Sequence, residues 1–355
     1  MELNLYAFIY SMRLLGLLPT ASIATLSYCR KPPLQCMIYP FLTLLLVWFN
    51  LVRFVAFYLF VRQGSNDLPD YLFRFLECGY HLTCCYCRTD IFIRNYRNRP
   101  FKAINASIFH SKFWKSFPDF ETSRNRKIDV ARIQFAILFI SWASPMIGGI
   151  VTISKSVSPD NSTDSNLIVP LHNVIPNGLG YVLFSMLIVF CNLASDTSLT
   201  FVVGFIATVD LQTGRQFGEL ASWLSQRLKE RIGFVRINIE KVQETFFYLT
   251  KVLHLLNRVV GSQLGVIIIY SFYGVLVNLY RIEWSPIDER LGILPQFIFC
   301  ICLPFTSLIP SIIVNNVSGR TLEQLQLFPI PKLAGPNEYY KSSLLMVSFK
   351  RKLFA

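Results

Sequence analysis

Four cysteines and a histidine fall within one ten-residue stretch, at Cys78, His81, Cys84, Cys85 and Cys87. On a helix Cys78, His81 and Cys85 share a face at i, i+3 and i+7, and zinc takes thiolate and imidazole ligands of this kind. No second cluster completes a site, and His110, His172 and His254 stand alone. Cysteine is also a small apolar residue that suits a membrane helix, so no metal is expected here. Near a membrane face, Cys84, Cys85 or Cys87 would instead be open to palmitoylation.

The remaining candidates are two ionisable residues in apolar surroundings. Asp196 lies in the run Cys191-Asn192-Leu193-Ala194-Ser195-Asp196-Thr197-Ser198, and Arg53 interrupts the apolar stretch that begins at Cys36. A carboxylate at membrane depth costs roughly 2.5–3.5 kcal/mol on insertion scales. It must therefore face protein or a watery cavity. Asp196 reads either as the polar floor of a ligand pocket or as a structural partner for Arg53 or a neighbouring helix. Arg53 has no arginine ladder around it, so it reads as a snorkelling or paired residue rather than a gating charge. No Walker sequence, HExxH or GxSxG is present. An enzyme has no motif behind it, and no cofactor is implied.

The elements that hold these residues are membrane spans. Of 355 residues, 53% are apolar and 15% charged, and Phe alone counts 31. Soluble domains are about a quarter charged, so this composition excludes most soluble enzymes and any disordered chain. A crossing helix needs about 20 mostly apolar residues. Six stretches qualify: Cys36 to Val61, Tyr71 to Ile93, Ala131 to Ile153, Ile175 to Val209, Val259 to Tyr280, and Leu291 to Val314. The second is the weakest, because it carries Arg74, Glu77, Arg88 and Asp90. The predicted fold is an all-α polytopic bundle of about six spans.

Charge orients the bundle. The 34 Lys and Arg outnumber the 21 Asp and Glu by 13. Arg94 to Lys127 holds nine basic residues against Asp119 and Glu121, and Arg215 to Arg258 holds eight against four acidic ones. The intervening turns around Asp67 and Asp70, and around Asp160 and Asp164, carry little positive charge. By the positive-inside rule the basic loops 94–130 and 210–258 and the N-terminus face the cytoplasm. The chain divides into a cytoplasmic N-terminal segment 1–35, a transmembrane bundle 36–314 and a cytoplasmic C-terminal segment 315–355. The basic surplus thus meets the lipid bilayer rather than nucleic acid. Glu2 stands where a signal peptide would be basic, so Met1 to Pro19 reads as a short surface helix before the first span. The sequon at Asn161 falls outside and should carry a glycan, whereas those at Asn105 and Asn316 fall inside.

With that orientation, the outer halves of the spans collect apolar walls and a few polar groups, which is the make-up of a small-molecule pocket. The candidate ligand-binding residues are Tyr71, Phe75, Trp142, Ser144, Tyr181, Phe184, Tyr270, Tyr273, Asn278, Gln296 and Phe297. At the cytoplasmic side, Phe217, Leu220, Leu224 and Leu228 form one apolar stripe at helical spacing. Val242, Phe246, Leu249, Leu253 and Leu256 form another. The fourth and fifth spans should therefore continue into the cytoplasm as long helices whose apolar faces need a partner, from this chain or another subunit.

An N-terminus inside, outer loops without cysteine and no Asp-Arg-Tyr after the third span exclude an ordinary seven-helix G-protein-coupled receptor. Three short runs point elsewhere. Met12-Arg13-Leu14-Leu15-Gly16-Leu17-Leu18-Pro19 resembles the start of insect gustatory and odorant receptors. The run Val252 to Gly265 resembles the entry to the fifth span of gustatory receptors, which closes in Tyr, here Tyr280. Ser342 to Ala355 resembles the stretch before their last helix. The resemblance to the insect chemoreceptor superfamily, gustatory rather than odorant, implies a plasma-membrane taste receptor gated by a small-molecule tastant or odorant. It also implies a homo- or hetero-tetrameric cation channel joined by its cytoplasmic helices, with ligand among the outer halves of the spans. The family's seventh, pore-lining helix does not follow Ala355, so the expectation is a receptor chain without its own pore segment. The alternative is a carrier that uses Asp196 as an ion or proton site.

Overall fold

The computed structural model describes residues 2–18, 34–56, 68–97, 124–157, 179–229, 239–284 and 287–327. Every described segment is helical, with no strand among the described residues. In chain order the helices are α1 (Glu2–Leu14), α2 (Leu34–Ala56), α3 (Leu68–Arg97), α4 (Arg124–Val157), α5 (Leu179–Lys229), α6 (Ile239–Trp284) and α7 (Ile287–Leu327). Four carry stretches long and apolar enough to cross a membrane: Gln35–Ala56, Leu183–Gln226, Thr245–Trp284 and Ile293–Leu325. α4 offers a shorter apolar stretch, Ala131–Ile147. α3 is the helix whose charges weakened it in the sequence.

Helix α5 is the axis. At 51 residues and 1.5 Å per residue it runs roughly 75 Å, far beyond a hydrocarbon core of about 30 Å. All six other helices touch it. Every residue from Phe201 to Asp210 is buried, as expected of a helix enclosed on all sides. The long continuations expected of the fourth and fifth spans are present as unbroken helix in α5 and α6. α7 also continues past Val314, to Leu327.

Two apolar clusters organise the interior. One surrounds the middle of α5 and includes Phe8, Leu76, Phe201, Val260, Tyr270 and Cys300. The other joins the far ends of α5, α6 and α7 through Phe217, Leu220, Leu224, Val242, Phe246, Leu249, Val314 and Leu325. Phe217 and Phe246 meet edge to face, with ring centroids 5.4 Å apart. The two stripes that needed a partner find it in each other and in α7. Gly214 allows this closeness, since a Cβ there would stand 2.8 Å from Val314 Cγ2.

α1 is not the surface helix that the sequence suggested. Phe8, Ile9 and Met12 are buried against α4 and α5, with the Phe8 ring 5.3 Å from Phe201. Gly204 supplies the space, because a Cβ there would lie 2.6 Å from both Phe8 Cζ and Ser141 Oγ. α1 ends in a Schellman turn: Leu17 N donates to Met12 O at 2.8 Å and Gly16 N to Arg13 O at 3.0 Å. Gly16 sits at φ 67°, the left-handed conformation such a turn requires. Thr43 Oγ1 then reaches Gly16 O at 3.2 Å, tying the turn to α2.

Pro145 in α4 has no N–H for the carbonyl of Ser141. The Thr200 hydroxyl of α5 donates to that carbonyl at 3.3 Å. A neighbouring side chain thus satisfies the backbone group that a proline frees, as a membrane interior demands.

Candidate functional site

Four helices converge on Tyr80. Its hydroxyl donates to Asp196 Oδ1 of α5 at 2.6 Å. Its ring lies 5.8 Å from that of Tyr270 on α6 and 6.3 Å from that of Phe299 on α7. Gly79, the neighbouring residue of α3, leaves room for Tyr270, whose Cδ2 would be 4.0 Å from a Cβ at that position. Asp196 and Tyr80 lie deep in the bundle, yet both keep some accessible surface. The result is an aromatic cluster, hereafter the chamber, closed around the Asp196–Tyr80 pair.

Asp196 has no cation within ion-pair distance among the described residues. The expected link to Arg53 is replaced by the bond to Tyr80. Arg53 turns instead to Asn50 Oδ1 (Nη2 at 2.9 Å, Nε at 3.2 Å) and to Asn192 Oδ1 at 3.4 Å. Asn192 is one helical turn from Asp196, so the arginine meets the amide and the tyrosine takes the acid. Asn50 Nδ2 also donates to Ser195 Oγ at 3.0 Å and approaches His81 Nδ1 at 3.4 Å. This network binds α2, α3 and α5 along the chamber's flank.

The cysteine and histidine face is occupied by packing. His81 stacks on Phe54 with centroids 3.9 Å apart, and Cys85 Sγ donates to Val47 O at 3.4 Å. Among the described residues no group of three His, Cys, Asp or Glu gathers as a metal site. Cys84, Cys85 and Cys87 are all fully buried, which leaves no room for an acyl chain on any of them.

Of the residues expected to line a pocket, Tyr270 is at the chamber. Asn278 lies two turns along the same face of α6, fully buried, donating to Gly274 O at 2.8 Å; its Oδ1 has no partner. Tyr273 donates to Leu72 O at 3.3 Å and seals α3 to α6. Gln296 and Phe297 are half-buried on α7, within a turn of Phe299. Trp142 is elsewhere: its indole donates to Ser11 Oγ at 3.1 Å and its ring meets Phe201, so it holds α1. Ser144 and Phe184 are half-buried on α4 and α5, while Tyr71 and Phe75 are exposed on α3. The Tyr181 side chain and Asn161 lie outside the described residues.

Sequence reasoning missed Tyr80 and Arg88. Both sit on α3 with Cys84, at i, i+4 and i+8, a face read only for its cysteines. Arg88 is 1% exposed and donates to Ala194 O at 3.1 Å, Ser198 Oγ at 3.0 Å and Leu15 O at 2.5 Å. It joins α3, α5 and the turn after α1 at one point.

No protein-family model matches the chain, and no curated protein matches it in sequence. Solved structures do. The insect olfactory receptor OR5 from Machilis hrabei superposes with a TM-score of 0.63 over 99% of this chain and 90% of its own, at 11% identity. The chain has the fold of an insect olfactory receptor. The same receptor in complex with eugenol aligns with a TM-score of 0.60 over 90% of each chain, at 10% identity. At such low identity the olfactory-receptor likeness concerns the path of the helices, including the long continuations of α5, α6 and α7, and not the residues of the chamber.

Proposed function

We propose that this chain is a chemosensory receptor subunit of the plasma membrane, with its N-terminus in the cytoplasm. It binds a small organic molecule in the chamber at Tyr80, Asp196, Tyr270 and Phe299. The observation that carries this reading is the chamber itself. In a bundle with an olfactory-receptor fold, four different helices each send a ring or a carboxylate to one cluster. An occupant there touches α3, α5, α6 and α7 together and can bias how they pack. The olfactory receptor of like fold has been solved with eugenol. The taste branch is favoured over smell by the run from Val252 to Gly265.

The far ends of α5, α6 and α7 would join subunits of a tetrameric cation channel. Phe247 and Tyr248 are exposed there, where a neighbouring copy would cover them. The basic residues at this end support its placement in the cytoplasm.

The test is cation current in cells expressing the chain across a panel of small organic compounds including eugenol. The chain should respond, and Tyr80→Ala should abolish the response while surface expression persists. Silence across a broad panel contradicts the reading. The carrier alternative rests on Asp196, and unchanged pH-dependent uptake in Asp196→Asn removes it.

A further inference from the structure

The Asp196 carboxylate has an unusual position. Asp196 accepts a single hydrogen bond, from the neutral phenol of Tyr80, and meets no cation among the described residues. The two guanidinium groups at similar depth point elsewhere: Arg53 engages Asn50 and Asn192, and Arg88 engages Leu15, Ala194 and Ser198. A charge taken out of water needs a counter-charge or several donors to offset its lost hydration. Around Asp196 the chain supplies aromatic faces instead. The Tyr80 ring has Tyr270 and Phe299 packed beside it, with centroids 5.8 and 6.3 Å away, and an aromatic face attracts a cation held within about 6 Å of its own centre.

We infer that the chamber selects organic cations, meaning protonated amines or quaternary ammonium compounds. The ligand's charged nitrogen sits against the Asp196 carboxylate and the faces of Tyr80, Tyr270 and Phe299. This deepens the receptor reading above and rests on it. The Tyr80 ring packs against both Tyr270 and Phe299 in this structure, so the ligand enters by turning Tyr80 away from Asp196. The Tyr80 hydroxyl is then a competitor that the ammonium displaces: it stabilises the carboxylate while the chamber is empty and lowers affinity for a cation.

The competition gives a test that a merely structural Asp196 would fail. Phenyltrimethylammonium and tert-butylbenzene have nearly the same shape, and only the first is charged. Binding of each to the purified full chain in nanodiscs is read by ligand-dependent thermal stabilisation, beside eugenol as a neutral reference. The wild type should bind the cation about tenfold or more tightly than its neutral isostere, the size of one good cation contact. Asp196→Asn should erase that preference and keep tert-butylbenzene binding. Tyr80→Phe should raise cation affinity several-fold, because the competing hydroxyl is gone, and it remains informative if Asp196→Asn does not fold. Equal binding of the two isosteres, or lower cation affinity in Tyr80→Phe, overturns the inference. If eugenol still binds in that case, the receptor reading survives, whereas binding of none of the three compounds counts against both.

Discussion

Helices α5, α6 and α7 build two unlike interiors along their length. Near Asp196 the contacts are mixed: a carboxylate and a phenol, amides, an arginine and rings that meet at tilted and edge angles. Near Phe217 they are almost wholly apolar, with Leu220, Leu224, Val242, Phe246, Leu249 and Val314 interlocked at helical spacing. The nearest charge pair there, Arg215 Nη2 to Glu219 Oε1 at 2.6 Å, lies within α5 itself. Apolar packing of that kind has one good arrangement and sets how the helices are spaced. A polar cluster that can rearrange when a ligand binds is what recognition requires. The far end therefore fixes the frame, and the chamber end holds the part that responds.

That contrast can be broken from either side. The largest effect should come from Phe217→Ala, which removes a fully buried ring from the apolar end. A cost of about 3–5 kcal/mol is expected for such a cavity, read as lost thermal stability and loss of the assembled form on native gels. Arg88→Met comes next. It strips hydrogen bonds from Leu15 O, Ala194 O and Ser198 Oγ, at about 2–3 kcal/mol, and should expose the segment at α1 to protease while the apolar end stays intact. Gly204→Ala should cost about 1–3 kcal/mol by overpacking, because its methyl would collide with Phe8 and Ser141. A cysteine pair joining α1 to α4 should then cross-link less. The smallest effect on stability belongs to Tyr80→Phe, about 1 kcal/mol or less, even though the residue is central to ligand binding. A large loss of stability in Tyr80→Phe would show that the chamber is frame rather than response.

The frame was more legible in the sequence than the chamber. The stripes Phe217-Leu220-Leu224 and Val242-Phe246-Leu249 announced continuous helices because a period of 3.6 residues is visible in one chain. That they pack on each other was left open, since periodicity shows a face and not its partner. α1 was recognised as a helix, but its burial depends on Gly204, nearly two hundred residues away and without a local signal. Tyr270 and Asn278 were legible as candidates because they stand in a clean apolar helix. Tyr80 was hidden by the charges and cysteines of α3. The bond from Tyr80 to Asp196 spans two helices whose rotation no single segment encodes, and so Arg53 looked the better partner.

The central claim is that a small molecule is felt at the chamber end and not at the frame. Fluorine NMR of the full chain, with para-fluorophenylalanine placed at Phe299 in one sample and at Phe217 in another, tests it directly. Titration with eugenol should shift the Phe299 resonance saturably and leave that of Phe217 in place. A shift confined to Phe217, with Phe299 unmoved at saturating ligand, would contradict the account.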